Sequence, residues 1–250
     1  FLKYINHQHL LLTKKVDELK QYAGILSKFT ALEEEGSLLI KKLKTEAAAA
    51  EKAVAGLSKL ASMADHRNNL LVNLFLNSLF LYDLIIVRRL EKWKAAHKER
   101  FSSWQMLLNE IEYLVSLAAF ARNNPSYQYP QIEEGAIHLN ATSLGHPLIS
   151  DKEMVYNTVQ MNKEKVWIIT GSNMAGKTTF LRTIGINVIL AQNGAPVCAD
   201  SMSLTPMYIL SSVRVQDSLH EQTSYFMAEL KRLQFIIQEL KKGRPSLVMV

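Results

Sequence analysis

The sequence holds a single cysteine, Cys198. No disulfide can therefore close within the chain, and the composition suits a reducing compartment such as the cytoplasm. Proline is missing altogether before Pro125, and glycine occurs in that stretch only at Gly24, Gly36 and Gly56. With so few punctuating residues, the first half does not suit a succession of short strands and tight turns. The residues after Phe1 do not read as a secretory leader, since no apolar segment ending in small residues follows. Phe1 is no initiator and the pattern is already under way there, as expected of a fragment. Long uninterrupted apolar runs are scarce too. The nearest, residues 70–87, is broken by Asn73, Asn77, Ser78 and Asp83. Amides and a carboxylate are costly at bilayer depth, so a buried helix is expected there, with a membrane anchor as the alternative.

Nor does either sign of charge dominate: 29 Lys and Arg face 23 Asp and Glu, a net charge of +6, with a pI of about 9.2. This permits a nucleic-acid or acidic-surface partner without requiring one. What is present is a chain of 250 residues, 48% of them hydrophobic, enough for two structural units. The composition changes at Asn123-Asn124-Pro125, a helix stop followed by an extended connection. Residues 1–124 are expected to form an extended all-helical region. Leu57, Leu60, Ala61 and Ala64 recur at helical spacing, as do Leu107, Ile111, Leu114, Val115 and Ala118. Residues 41–59, with alanine from Ala47 to Ala50, are expected to form a long, mostly exposed helix. From residue 125 onward, β-like runs at 136–139, 166–170, 208–215 and 246–250 alternate with helical patterns. That alternation predicts an α/β unit over 125–250 with a mostly parallel sheet, giving an overall class of α plus α/β.

One motif carries chemistry. After the apolar run Val166-Trp167-Ile168-Ile169-Thr170 come Gly171, Ser172, Asn173, Met174, Ala175, Gly176, Lys177 and Thr178, a match to the phosphate-binding loop G-x-x-x-x-G-K-[ST]. A helical stripe of Phe180, Leu181, Ile184, Val188 and Ile189 follows, running toward a stop at Gly194. In such a loop the glycines allow close backbone approach, and successive amides and a helix N-terminus face the anion. Lys177 is expected to reach the β and γ phosphates of ATP, and Thr178 to ligate Mg²⁺ through its hydroxyl. The terminal run Leu247-Val248-Met249-Val250 resembles the strand that precedes a Walker-B acid. That carboxylate is expected beyond Val250, so no catalytic residue is named, and nucleotide binding is better supported than hydrolysis by this stretch alone.

With these residues in view, the chain resembles the MutS family of DNA mismatch-repair ATPases. The Asn173-Met174 pair is characteristic of that family. Ser172, Ala175 and the Thr178-Thr179 pair depart mildly from its usual proline, glycine and serine-threonine. Ser224-Tyr225-Phe226-Met227-Ala228-Glu229-Leu230 is similar to the family's serine-led signature. The resemblance implies that Ser224 approaches the nucleotide of a partner subunit, while an N-cap by Thr223 or Ser224 explains the same residues locally. A helix stripe of Phe226, Leu230, Leu233, Ile237 and Leu240 is expected to follow. Gly145-His146-Pro147 is similar to the family's element ahead of the ATPase sheet, with His146 expected in a structural turn. The segment 194–199 resembles the one after the family's loop helix, with Cys198 expected to be a small buried residue. The resemblance covers about residues 111–250. It implies a P-loop ATPase domain preceded by lever or core helices, binding ATP and Mg²⁺ through residues 171–179, with Asn173 shaping the loop or touching the γ-phosphate. Residues 154–156 are the expected platform for the adenine ring. DNA as a partner and a head-to-tail homodimer through the ATPase domains are likewise implied.

No Phe-x-Glu element of the kind that wedges into a mismatch occurs in the sequence, so a MutS-like protein acting on other DNA structures fits as well. Arg88, Arg89, Lys92, Lys94, Lys98 and Arg100, with Trp93 and Trp104 nearby, offer either a phosphate-tracking helix with stacking aromatics or a solvated helix face. Membrane-tethered and protein-binding nucleotide-gated ATPases are the alternatives from other classes.

Overall fold

In the computed structural model, the described residues are 16–33, 36–65, 82–150, 152–162, 166–172, 175–212 and 225–250. They combine helices with mixed sheet, and the chain divides into two compact units, Phe1–Val115 and Ser116–Val250. The division falls inside a helix, whereas the composition changes further on, at 123–125.

The scarcity of helix breakers in the first unit has the expected consequence. Helices α1 (Val16–Thr30), α2 (Leu38–Asp65), α3 (Tyr82–His97) and α4 (Phe101–Asn123) account for nearly all its described residues, with a 3₁₀ turn at Lys98–Arg100 between the last two. Their core corrects one expectation. Residues 41–59 are helical but not mostly exposed: Ala47 and Ala50 are each 0% exposed, and Leu43, Ala53, Val54 and Leu57 are buried with them. Alanine is a good helix former on a surface, and that property masks its other use. With nothing beyond Cβ, it leaves a flat face onto which α1 packs, so Leu26 and Phe29 join Leu43, Ala47 and Ala50 in one cluster. Leu57, Ala61, Leu107 and Ile111 are buried as their spacing predicts, while Val115 is 58% exposed and Ala118 is exposed too.

Trp93 and Trp104 also belong to this core. The Trp93 indole N–H donates to the Ala53 carbonyl at 2.9 Å, its ring centroid lies 6.3 Å from that of Trp104, and Trp104 is buried. The stacking role considered for these aromatics is therefore taken up by helix packing. Of the run 70–87, residues 70–81 lie outside the described residues and 82–87 open α3. Among the described residues no helix is long and apolar enough to cross a membrane.

The second unit contains a four-stranded sheet in the order β1-β4-β2-β3 and a two-stranded sheet β5-β6. The strands are β1 (Gln131–Ile132), β2 (Leu139–Leu144), β3 (Asn157–Met161), β4 (Ser201–Leu204), β5 (Tyr208–Ser211) and β6 (Ser246–Met249). Helices α5 (Lys177–Gln192) and α6 (Tyr225–Leu240) complete it. The mostly parallel sheet expected for 125–250 is corrected to a mixed one. β1–β4 and β5–β6 run parallel, whereas β2 pairs antiparallel with both β3 and β4. β3 and β4 escaped notice because they are short and half polar. They bury only Val159, and Met202 with Leu204, in alternation with exposed or half-buried serine, threonine and glutamine.

Residues 166–170 also differ from expectation: they are described but form no strand. Trp167 packs on the core while Ile168 is 85% exposed. The in–out alternation of an extended chain is present, but a strand needs a ladder partner and none occurs among the described residues. In α6 the buried contact is Ile236, with Leu233 half-buried, whereas Leu230, Ile237 and Leu240 are exposed. The burial axis is thus rotated by one residue from the predicted stripe. Helix α5 keeps its predicted inward face through Ile184 and Val188, which meet Leu139, Leu144, Val159 and Leu204 of the sheet. It stops where expected, the Gly194 amide donating to the Ala191 carbonyl and the Ala195 amide to the Leu190 carbonyl.

The buried alanine face yields a test. Ala50→Leu forces extra methylenes into the α1–α2 contact and is expected to lower the free energy of unfolding by about 1–3 kcal/mol. Urea denaturation reads this directly; a midpoint equal to the parent's would mean that the face is solvated after all.

Candidate functional site

A helix start normally ends its unpaired amides on a capping side chain, and α5 has none. Its N-cap is Gly176 in the left-handed region, with φ of +85° and no side-chain hydrogen bond. A Cβ there would meet no atom within 4 Å, so glycine is required by the backbone angle and not by crowding. The first intrahelical bond runs from the Phe180 amide to the Gly176 carbonyl at 2.8 Å. The amides of Lys177, Thr178 and Thr179 therefore precede any intrahelical acceptor and point out along the axis, where the helix dipole favours an anion.

The Lys177 ammonium turns back over this end, donating to the Gly171 carbonyl at 2.8 Å and the Ser172 carbonyl at 2.6 Å. The Ala175 amide closes a turn onto the Ser172 carbonyl at 3.3 Å. Lys177 thus rests on neutral acceptors of its own loop, and an incoming phosphate oxygen would replace them with charged ones. Thr178 and Thr179 are exposed in the first turn. Asn173, Met174 and Ser224 lie outside the described residues, so the expectations placed on them are neither met nor contradicted.

Ala175, Gly176, Lys177 and Thr179 form one side of a cavity of about 460 Å³. The other side comes from the connection between β2 and β3 and the first residue of β3, where His146, Ile149, Glu153, Met154, Val155 and Asn157 face the same space. Of residues 154–156, expected from sequence to face the adenine ring, Met154 and Val155 line the cavity and Tyr156 does not; nor do Thr178 and Ser172. His146 behaves as a turn residue: its Nδ1 accepts from the Leu148 amide at 3.2 Å and its carbonyl from the Ile149 amide at 2.9 Å. Cys198 is buried, its Sγ 3.6 Å from the Met154 sulfur.

Two residues that sequence reasoning passed over hold the two sides of the cavity. Thr183 and Asn187 are buried polar side chains on the inward face of α5. The Asn187 amide nitrogen donates to the Gly145 carbonyl at 2.9 Å and the Thr183 carbonyl at 2.8 Å, and its oxygen accepts from the Cys198 amide at 2.8 Å. A signal did exist. Asn187 interrupts the apolar stripe between Ile184 and Val188, and an amide at such a position must find partners. Gly145 is the second clue. A Cβ there would meet the Met154 and Cys198 sulfurs, so any larger residue would force those side chains to shift.

Residues 167–250 match the family model described as MutS domain V. Among curated proteins, the chain is 31% identical over 156 residues to the DNA mismatch repair protein MutS of Streptococcus mutans, covering 60% of this chain and 18% of that protein. To the DNA mismatch repair protein MutS of Rickettsia massiliae it is 33% identical over 154 residues, 58% of this chain and 17% of that one. To the DNA mismatch repair protein spellchecker 1 of Drosophila melanogaster it is 35% identical over 140 residues, 52% of this chain and 15% of that one. Over these residues the chain is similar to MutS proteins, and it spans less than a fifth of the length of the relatives it matches. The match takes in the whole loop, α5 and β6. It leaves outside the cavity wall at 145–157, so the family model covers the loop side of the cavity but not the side facing it.

The conformation of Gly176 predicts an asymmetric outcome. Gly176→Ala adds no clash, so its cost is that of holding alanine in the left-handed region, about 1–2 kcal/mol. Thermal or urea unfolding measures it, and a neutral substitution would contradict the left-handed cap.

Proposed function

We propose that this chain is the ATP-binding part of a MutS-like, DNA-binding ATPase with a P-loop NTPase fold, in which nucleotide state is coupled to DNA clamping in mismatch repair or a related DNA transaction. The observation that carries the reading is the Lys177 ammonium, set beside uncapped α5 amides at one end of a cavity whose opposite wall places Ile149, Met154 and Val155 among His146, Glu153 and Asn157. Phosphates fit the first side, because amides and an ammonium are the donors that polyphosphate needs. A purine fits the second, because Met154 and Val155 offer polarizable and apolar surface. The size of the cavity, about 460 Å³, lies within the range of small-molecule sites.

Lys177 would hold the β and γ phosphates and the loop amides would complete the cradle. Thr178 would offer its hydroxyl to Mg²⁺, whose remaining ligands come from phosphate oxygens and water, since Mg²⁺ keeps much of its hydration when bound with a nucleotide. ATP turnover is proposed for the whole protein, of which the matched stretch covers 18% or less in the relatives named; the carboxylate that would direct water is not assigned to any residue of this chain. DNA is the proposed partner because the relatives are named for mismatch repair. The exposed Arg88, Arg89, Lys92, Lys98 and Arg100 of α3 and the turn after it supply charge for a phosphate backbone, without reading base identity. A homodimer through the ATPase domains, with Ser224 approaching the neighbouring nucleotide, completes the proposal.

Titration with Mg–ATP tests the core of this reading. Removing the charged donor with Lys177→Ala is expected to weaken binding about 10- to 100-fold, the worth of one or more charge-assisted hydrogen bonds. Equal binding by parent and variant would remove the loop from the site. For the DNA arm, affinity for matched, mismatched and branched duplexes is measured across a salt series with and without ATP. A steep fall with salt supports backbone contact, and absence of binding at low salt sinks the DNA assignment.

A further inference from the structure

Resting on the reading of the cavity as a nucleotide site, we propose that Asn187 is a positioning residue that sets the spacing between the phosphate side of the cavity and the wall that faces it. The two sides come from different parts of the chain. The loop side is carried by the start of α5, and the facing wall hangs from the turn at Gly145–His146 and the Met154 segment. Asn187 is the side chain that joins them. It is 0% exposed, and its donors and acceptor go to three separate backbone groups, the carbonyls of Gly145 and Thr183 and the amide of Cys198.

Each of those groups leads directly to the cavity. Gly145 precedes His146, which lines it, and the Gly145 amide donates back to the Cys198 carbonyl at 2.7 Å. Cys198 places its sulfur against Met154, another lining residue. Thr183 lines the cavity itself, and its hydroxyl donates a hydrogen bond to the Thr179 carbonyl at 2.8 Å, one turn nearer the loop. A chain of hydrogen bonds, buried at Asn187, thus runs from the first turn of α5 through Thr183 and Asn187 to the opposite wall. Apolar packing alone permits α5 to slide along the sheet; directional bonds to two carbonyls and an amide do not. The orientation of the amide follows from its partners, since carbonyls require its nitrogen and the Cys198 amide requires its oxygen.

The consequence is a split between ligands. A nucleotide must satisfy both sides at once, whereas inorganic tripolyphosphate needs only the loop. The informative variants are Asn187→Asp and Asn187→Ser. The first keeps the volume and the acceptor for Cys198 but sets a carboxylate oxygen against two carbonyls. The second withdraws the reach without adding charge. Thermal melting establishes the folded fraction of each, and calorimetry then measures Mg–ATP and tripolyphosphate against that fraction. The expected result is an affinity for Mg–ATP lowered about tenfold or more, with that for tripolyphosphate within about twofold of the parent, because one lost set of buried hydrogen bonds is worth that much. Parallel losses for both ligands would reduce Asn187 to a structural residue, and unchanged ATP affinity in both variants would overturn the proposal outright. A parent chain that binds neither ligand would instead overturn the nucleotide reading on which it rests.

Discussion

A fully buried amide has nowhere to send its polar atoms except to its neighbours, and the second unit is organised around one such amide. Leaving even one group of Asn187 unpaired would cost roughly 1–3 kcal/mol, a sizeable part of the 5–15 kcal/mol that usually holds a domain together. The cost is avoided only if α5, the Gly145 turn and the 194–199 segment come together in one register. That requirement explains neighbouring choices that otherwise look arbitrary. Gly145 has no side chain because Met154 and Cys198 fill the space where one would go. Cys198 is small and buried because its amide must reach Asn187. Thr183 turns its hydroxyl inward along the helix toward Thr179.

From that anchor, the loop end follows. α5 is held in the middle by Asn187 and on its inward face by Ile184 and Val188, so its first turn can leave amides uncapped without fraying. An uncapped N-terminus is a liability in an isolated helix. Here it is tolerated by packing further along, and the free end is what the proposed anion site would use. Gly176 serves the same end by turning the chain into the helix through an angle that other residues avoid.

How much of this could be read in the residues depends on the kind of signal each feature leaves. The Gly176 turn into α5 was legible because a short motif with fixed spacing encodes a backbone path, and α5 itself because its apolar residues recur with helical period. Helices in the first unit were legible from the absence of breakers. The burial of Ala47 and Ala50 was not, since alanine has the same appearance on a wet face as on a tightly packed one. β3 and β4 were missed because half their residues are polar and neither exceeds five residues. The run 166–170 had the composition of a strand, but a ladder belongs to two segments and one segment cannot reveal it. The wall at 145–157 was only glimpsed, through Met154 and Val155, because a wall is a meeting of distant residues. Asn187 left a trace, a polar residue in an apolar stripe, that gains meaning only when its partners are seen.

The resting contacts of Lys177 bear on how such a site answers a ligand. Its ammonium is already satisfied by two carbonyls, so an incoming group gains only the difference between a charged acceptor and a neutral one. That difference is large for phosphate oxygens and small for neutral polar ligands, so under the proposed reading the loop would discriminate by charge before shape is tested. Once Lys177 moves onto a phosphate, the Gly171 and Ser172 carbonyls lose their donor. The loop then has a reason to differ between empty and filled states. A ligand shifts a conformational equilibrium only through such differential contacts. The change begins at the start of α5, and the hydrogen bonds of Thr183 and Asn187 are the rigid path by which the Gly145 turn would feel it.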